Sequence, residues 1–180
     1  MKKKAWLSAL AVVLVLCCAV GGTLAWLTQK TDAVVNTFTV GDINITLTET
    51  EREYKMVPGN TIDKDPTVTV QAGSEACWLF VKVEKSANFD TFMTCAMATG
   101  WTALAGQEGV YYRQVDAAAA AAGASFAVLA GNQVTVKDTV TKTMLNALTP
   151  ATYPTLTFTA YAVQMDNVAD AAAAWAEVNR

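Results

Sequence analysis

The chain has 180 residues, 53% of them hydrophobic, and a formal net charge of −3. This length suits one domain with a substantial core, and the mildly acidic balance argues against electrostatic binding to nucleic acid or to an anionic membrane. Histidine is absent, which excludes Ser-His-Asp and Cys-His catalytic arrangements as well as histidine-based zinc sites.

The first 25 residues have the three parts of a secretory signal peptide. Lys2–Lys4 form a basic start, residues 5–20 form an apolar run, and Thr23 and Ala25 place small residues at positions −3 and −1 of a cleavage site. The sequence therefore predicts cleavage between Ala25 and Trp26.

Two other fates of this leader stay open. Residues 5–27 are long and apolar enough to remain as a membrane anchor. Lipoprotein processing at Cys17 is disfavoured, because Leu16 stands where a small residue is needed. Cleavage after residue 25 leaves ten basic and 16 acidic residues, a net charge of −6 over 155 residues.

Alternation of apolar and polar residues dominates the rest of the chain. It predicts half-buried strands, and a run that is apolar on both faces predicts a central strand covered on both sides. The half-buried strands are predicted at 43–47, 67–71, 133–137 and 155–162, the central strand at 76–81, and further strands at 92–98 and 110–113. Seven to nine short strands of this kind predict an all-β fold, a jelly-roll-like β-sandwich.

One or two short helices are expected to decorate the sandwich. Residues 139–148 have helical spacing and end before Pro150. The alanine run 117–122 is interpreted as a loop or a single helical turn. A C-terminal helix is predicted with Asn167 or Asp170 as its cap. Its apolar stripe comprises Val168, Ala171, Ala172, Trp175 and Val178.

No motif for catalysis or for a cofactor is present, so no catalytic, cofactor-binding or metal-ligating residue is predicted. The segment 58–66 contains Asn60, Asp63 and Asp65, whose oxygens suit calcium, but Pro58-Gly59 favours an ordinary turn. Three tryptophans could line a sugar-binding surface, although burial in the core is the favoured interpretation. The tryptophans concerned are Trp78, Trp101 and Trp175.

Two cysteines, Cys77 and Cys95, remain after removal of the leader, which takes Cys17 and Cys18 with it. Outside the cytosol they can pair as a disulfide. The alternative is that each is a small buried apolar residue. The sequence leaves both interpretations open.

Three blocks of the chain resemble the TasA/camelysin family, exported proteins of Gram-positive bacteria that are processed by a signal peptidase of the SipW type. The most specific block combines the leader end at 21–27 with Asn-Thr-Phe-Thr-Val-Gly at 36–41 and the alternating strand at 43–47. The Pro-Gly-Asn turn at 58–60 with Lys64-Asp65 is similar to the segment that opens the family's next strand. The closing strand at 156–164 is a weaker match.

The resemblance implies a secreted, non-catalytic jelly-roll protein of the biofilm matrix or cell surface. Its fibres would form when the N-terminal strand of one subunit enters the sheet of the next, the donor here being residues 26–40. The domain organisation is then a signal peptide at 1–25, a donor segment at 26–40 and one β-sandwich domain at 41–180. The candidate anchors of the donor are Val34, Val35, Phe38 and Val40.

The implied partners are further copies of the chain or other matrix proteins, and the SipW-type signal peptidase. Nucleic acid is not expected, and membrane contact is expected only through an uncleaved leader. Two alternatives remain. One is the metalloendopeptidase activity that the name camelysin carries, with which the lack of histidine disagrees. The other is a monomeric module that binds a surface.

Overall fold

The computed structural model describes residues 42–51 and 54–178. The strands in this part of the chain are β1 (Ile45–Thr48), β2 (Thr61–Asp63), β3 (Thr67–Val70), β4 (Cys77–Lys85), β5 (Met93–Thr94), β6 (Thr102–Ala103), β7 (Val110–Val115), β8 (Ala124–Ala127), β9 (Gln133–Val136) and β10 (Leu156–Gln164). The helices are α1 (Phe89–Phe92), α2 (Ala117–Ala122), α3 (Lys142–Asn146) and α4 (Ala171–Val178), with single 3-10 turns at Ala130–Asn132 and Pro150–Thr152. None of the described helices has the length and hydropathy to cross a membrane.

The described strands form three antiparallel sheets. The first has the order β1-β3-β8, the second β10-β4-β7-β6, and the third β2-β9-β5. Helices are few and short, so the predicted all-β class is confirmed.

Strand β4 lies between two cores, as its two-sided apolar sequence predicts. Its first five residues are all buried, and successive side chains point to opposite faces. Leu79 therefore enters a first core between the first two sheets, while Phe80 enters a second core on the outer face of the second sheet. The first core contains Val68, Val70, Cys77, Leu79, Val81, Trp101, Val115, Ala120 and Val128. The second contains Trp78, Phe80, Leu104, Val110, Ala171, Ala174 and Trp175.

A third core lies under the third sheet. It contains Phe89, Phe92, Met93, Leu129, Val134, Val136 and Val140. The half-buried strands predicted from alternation are confirmed in β1, β3 and β9, where side chains alternate in burial along each strand. The burial of Trp78, Trp101 and Trp175 confirms their interpretation as core residues.

The helices begin and end at the residues that cap them. Asp116 accepts a hydrogen bond from the Ala119 N–H (2.8 Å), and Gly123, with φ of 83°, ends α2 after six residues. Asp170 caps α4 through the Ala173 N–H (2.8 Å). The predicted stripe of α4 is wrong at Ala172, which is exposed, because Ala174 is the residue buried between Ala171 and Trp175.

Two further predictions are corrected. The strand expected at 92–98 is shortened to the two-residue β5 and a single bridge between Met97 and Leu129. It is preceded by α1, because Phe89 and Phe92 lie three residues apart and both enter the third core from one helical turn. The helix expected over 139–148 is confined to α3, which Thr141 caps through the Met144 N–H (3.3 Å).

Candidate functional site

Two edge strands, β1 and β10, lie against each other on one side of the domain. β1 ends the first sheet and β10 ends the second. Among residues 42–51 and 54–178, no strand pairs with the outer edge of either. An unpaired edge presents a row of backbone donors and acceptors that another strand can use.

The hydrogen-bond register shows which backbone groups face outward. The Ser86 N–H donates to the Thr155 carbonyl (3.0 Å), and the Met165 N–H donates to the Ala76 carbonyl (2.9 Å). Antiparallel pairs alternate between bonded and non-bonded positions, so the odd-numbered residues of β10 bond to β4. The even-numbered residues turn their N–H and C=O groups away from β4.

The same logic applies to β1. The Gln71 N–H donates to the Asn44 carbonyl (2.8 Å), so the even-numbered residues face β3 and Ile45 and Leu47 direct their backbone groups to the free edge. In both strands, the residues with outward backbone groups also place half-buried apolar side chains on the first core. These residues are Ile43, Ile45, Leu47, Phe158, Ala160 and Ala162.

An open apolar groove adjoins the start of β10. Its larger part has a volume of about 980 Å³, and a smaller part between β1 and β10 has a volume of about 360 Å³. Both parts are lined by Lys64, Leu156 and Thr157, so they lie next to each other. Val57 and Tyr153, which also line it, are 48% and 51% exposed. The groove thus presents apolar surface next to the free edges.

Lys64 lines both parts of the groove. The lysine is only 9% exposed, and its ammonium nitrogen forms an ion pair with the Glu49 carboxylate. The same nitrogen lies 5.0 Å from the centroid of the Tyr54 ring and 5.7 Å from that of Phe158. Aromatic faces attract cations at these distances, so Lys64 ties the segment after β1 to β10.

Hydrogen bonds fix the segment that follows β1. Asp65 accepts from the Thr50 N–H (2.9 Å) and from the Thr50 hydroxyl (2.5 Å), and these bonds lower the pKa of Asp65. The Tyr54 hydroxyl donates to the Glu51 carbonyl. Burial, reinforced by the negative charges of Glu49, Asp65 and Glu51, raises the pKa of Tyr54 to about 12. Tyr54 therefore stays neutral beside the groove at physiological pH.

The Lys64–Glu49 pair leads to a stability prediction. Glu49→Gln is expected to cost about 1–3 kcal/mol of unfolding free energy, because it leaves the buried Lys64 cation without its carboxylate. Lys64→Met is expected to cost a similar amount, because it leaves the Glu49 carboxylate, whose side chain is only 17% exposed, without its cation. Urea denaturation measures both.

The matched control is Glu84→Gln, which breaks the Lys82–Glu84 pair (2.8 Å). Its side chains are 38% and 53% exposed, so a change within about 0.5 kcal/mol is expected. A Glu49→Gln variant as stable as this control would contradict a structural role for the buried pair.

The acidic residues of the predicted turn are not brought together as a metal site. Pro58-Gly59 forms the expected turn, closed by the Asn60 N–H donating to the Val57 carbonyl (3.0 Å), with Gly59 at φ 76°. Asp63 then lies on β2, paired with β9, and Asp65 is bonded to Thr50. Within the described ranges, no group of three or more cysteine, aspartate or glutamate residues has an arrangement suited to a metal ion.

Cys77 and Cys95 are free thiols in this structure. Cys77 belongs to the first core and Cys95 packs against the third. Burial raises the pKa of Cys77 to about 11 and also raises that of Cys95. The predicted cleavage site at Ala25 and Trp26 and the predicted anchors Val34, Val35, Phe38 and Val40 lie outside the described residues.

The sequence did not predict the groove. It predicted only the strand at 155–162, which forms one wall of it. Tyr54, Val57 and Tyr153 have no pattern that assigns them to a common site, because the fold brings together segments a hundred residues apart. The chain matches no protein-family model, no curated protein and no solved structure.

Proposed function

We propose that this chain is an exported, non-catalytic structural protein of the TasA/camelysin type, which assembles into cell-surface or matrix fibres by exchanging its N-terminal strand. The observation that carries the proposal is the pair of adjacent free edges, β1 and β10, with half-buried apolar side chains on the first core. An added strand would gain backbone hydrogen bonds from an edge and bury apolar side chains between the sheets.

The sequence of residues 26–40 suits this acceptor. In an extended strand, Val34, Phe38 and Val40 share one face and Thr37 and Thr39 share the other. The apolar residues of the first face, which also carries Asn36, can complete the first core, and the second face continues the threonine-rich outer faces of the acceptor strands. Val35, the fourth anchor predicted from sequence, falls on the outward face. Register would then be set by the inward residues, because a slip of one residue exposes all of them.

The length of the donor is also sufficient. Fifteen extended residues reach about 50 Å at about 3.3 Å per residue. The nine residues of β10 need about 30 Å by the same rule. The remaining residues lie at the free N-terminal end of the donor, where the polar residues 28–32 would keep the freshly cut end soluble.

Strand exchange also accounts for the fold, the leader and the partner that we propose. The domain is a jelly-roll-like β-sandwich, which the first core between the first two sheets supports. The leader directs export, and cleavage after Ala25 by a SipW-type peptidase frees the donor. Assembly therefore begins only after the chain has left the membrane. The partner is another copy of the chain or a related matrix protein.

The test compares a chain that starts at Trp26 with one that starts at Gly41, both incubated at physiological salt and examined by negative-stain electron microscopy. Filaments are expected only from the longer chain. Within it, Phe38→Asp places a charge on the inward face and is expected to prevent assembly, while Thr37→Asp places the same charge on the outward face and is expected to allow it. Monodisperse particles from every chain would overturn the proposal.

A further inference from the structure

Arg113 is held between two aromatic rings on the side of the domain formed by β6, β7 and β8. It lies on β7, opposite Leu79 of β4. Its guanidinium carbon is 3.7 Å from the centroid of the Phe126 ring and 5.4 Å from that of Trp101. The Trp101 indole N–H is itself fixed by the Ala127 carbonyl (2.9 Å). The guanidinium therefore has a fixed position.

No acceptor in the described part of the chain satisfies this guanidinium. The three ion pairs in that part involve Lys64, Lys82 and Lys85, and the Nε atom of Arg113 is buried without a hydrogen-bond partner. An arginine carries five N–H donors and remains charged in proteins. Burial lowers the pKa of Arg113. The aromatic rings compensate part of the desolvation of the cation, but they supply no hydrogen-bond acceptor.

The site is open to a ligand. Arg113 as a whole is half-buried, although its Nε is enclosed. Gly100, with φ of 92°, leaves space beside the guanidinium, since a Cβ there would come within 3.1 Å of Nη2. The neighbouring strand β6 is exposed and ends the second sheet. A polypeptide carrying an acceptor can therefore approach along a strand edge.

We propose that Arg113 is a carboxylate-binding site, and that its ligand is the acidic side chain of an extended peptide that lies along β6. A carboxylate matches the planar donor pair of a guanidinium in two parallel hydrogen bonds. The outer edge of β6, with which no described strand pairs, favours a peptide over an anionic sugar, because it offers backbone groups that only a polypeptide pairs with in register. The site is separate from β1 and β10 and does not depend on strand exchange there.

The side-chain Nε–Hε resonances of the ¹⁵N-labelled protein test this directly, because the chain has only three arginines, Arg52, Arg113 and Arg180. The probes are sodium acetate, the peptide acetyl-Thr-Glu-Thr-Glu-Thr-amide and its Gln counterpart, all at matched ionic strength. We expect acetate to shift the Arg113 signal several-fold further than it shifts the signals of Arg52 and Arg180. We expect the Glu peptide to bind at least about tenfold more tightly than acetate, and the Gln peptide not to bind.

If acetate shifted the signals of all three arginines equally, Arg113 would not be a specific carboxylate-binding site. If sodium glucuronate bound to Arg113 as tightly as the Glu peptide, the ligand would not be specifically a peptide. Arg113→Lys keeps the charge but loses the planar fork, so an affinity loss of about tenfold for the Glu peptide is expected.

A purely structural role for Arg113 is tested separately. Arg113→Met keeps an apolar stem between the rings and removes the unsatisfied donors, so an unchanged or raised melting temperature is expected together with loss of peptide binding. A fall in melting temperature in both the Met and Lys variants, with peptide affinity retained in the Met variant, would show that Arg113 serves packing alone.

Discussion

Ala160→Pro is expected to abolish filament formation while the domain stays folded. The N–H of Ala160 faces away from β4, because the hydrogen bonds at Thr155 and Met165 place the odd-numbered residues of β10 on the β4 side. Proline at this position removes an outward donor and places a ring where an added strand would pair. Sedimentation and negative-stain microscopy of the chain starting at Trp26 measure the filament yield, and circular dichroism measures folding.

Thr159→Pro is the matched control one residue away. Its N–H faces Lys82 of β4, so proline there removes a ladder bond and leaves the Lys82 carbonyl without its donor, at a cost of about 1–3 kcal/mol before any steric conflict. Thr159→Pro is therefore expected to lower the free energy of unfolding by more than Ala160→Pro does. Filaments formed normally by a folded Ala160→Pro protein would exclude the outer edge of β10 as the acceptor and leave β1 to be tested by Ile45→Pro.

The elements predicted well from sequence are those whose burial follows a local period. Residues 76–81 are apolar at every position, and β4 is buried on both faces as a result. Alternation at 43–47, 67–71 and 133–137 likewise corresponds to β1, β3 and β9. In these strands, the side chains on one face meet a core, so sequence pattern and tertiary packing favour the same structure.

The elements missed are short or depend on distant partners. β2 has three residues and β6 has two, and each is a strand only because β9 or β7 pairs with it. β8 carries one large apolar residue, Phe126, within a run of small ones. Such segments have little preference of their own, so tertiary pairing decides their structure.

The candidate site depends on the fold to a still greater degree. Alternation identifies β10 as a half-buried strand, but it does not identify β10 as an edge strand. That property follows from sheet order, which places β4 on one side of β10 and no described strand on the other. Arg113 illustrates the same limit, because one aromatic neighbour, Trp101, lies in the loop before β6 and the other, Phe126, lies on β8 of another sheet.

Phe80→Ala is expected to destabilise the protein by about 3–5 kcal/mol, the usual cost of removing a buried phenylalanine. Phe80 is fully buried, and its ring centroid lies 5.2 Å from that of Trp175 and 6.3 Å from that of Tyr112. The substitution leaves a cavity between β4 and α4. A domain of this size loses about 2–4 °C of melting temperature per kcal/mol, so a fall of about 10 °C is expected.

Tyr153→Ala is the matched control, since it removes an aromatic ring that is 51% exposed and is expected to change stability by less than about 0.5 kcal/mol. Leu79→Ala, on the opposite face of β4, tests the first core and is expected to cost about 2–5 kcal/mol. Similar losses from Leu79→Ala and Phe80→Ala, each in a single transition, are expected because one strand supplies both cores. A Phe80→Ala protein that melts in two steps would show instead that α4 and the second core unfold independently of the sheets between which a donor strand is proposed to bind.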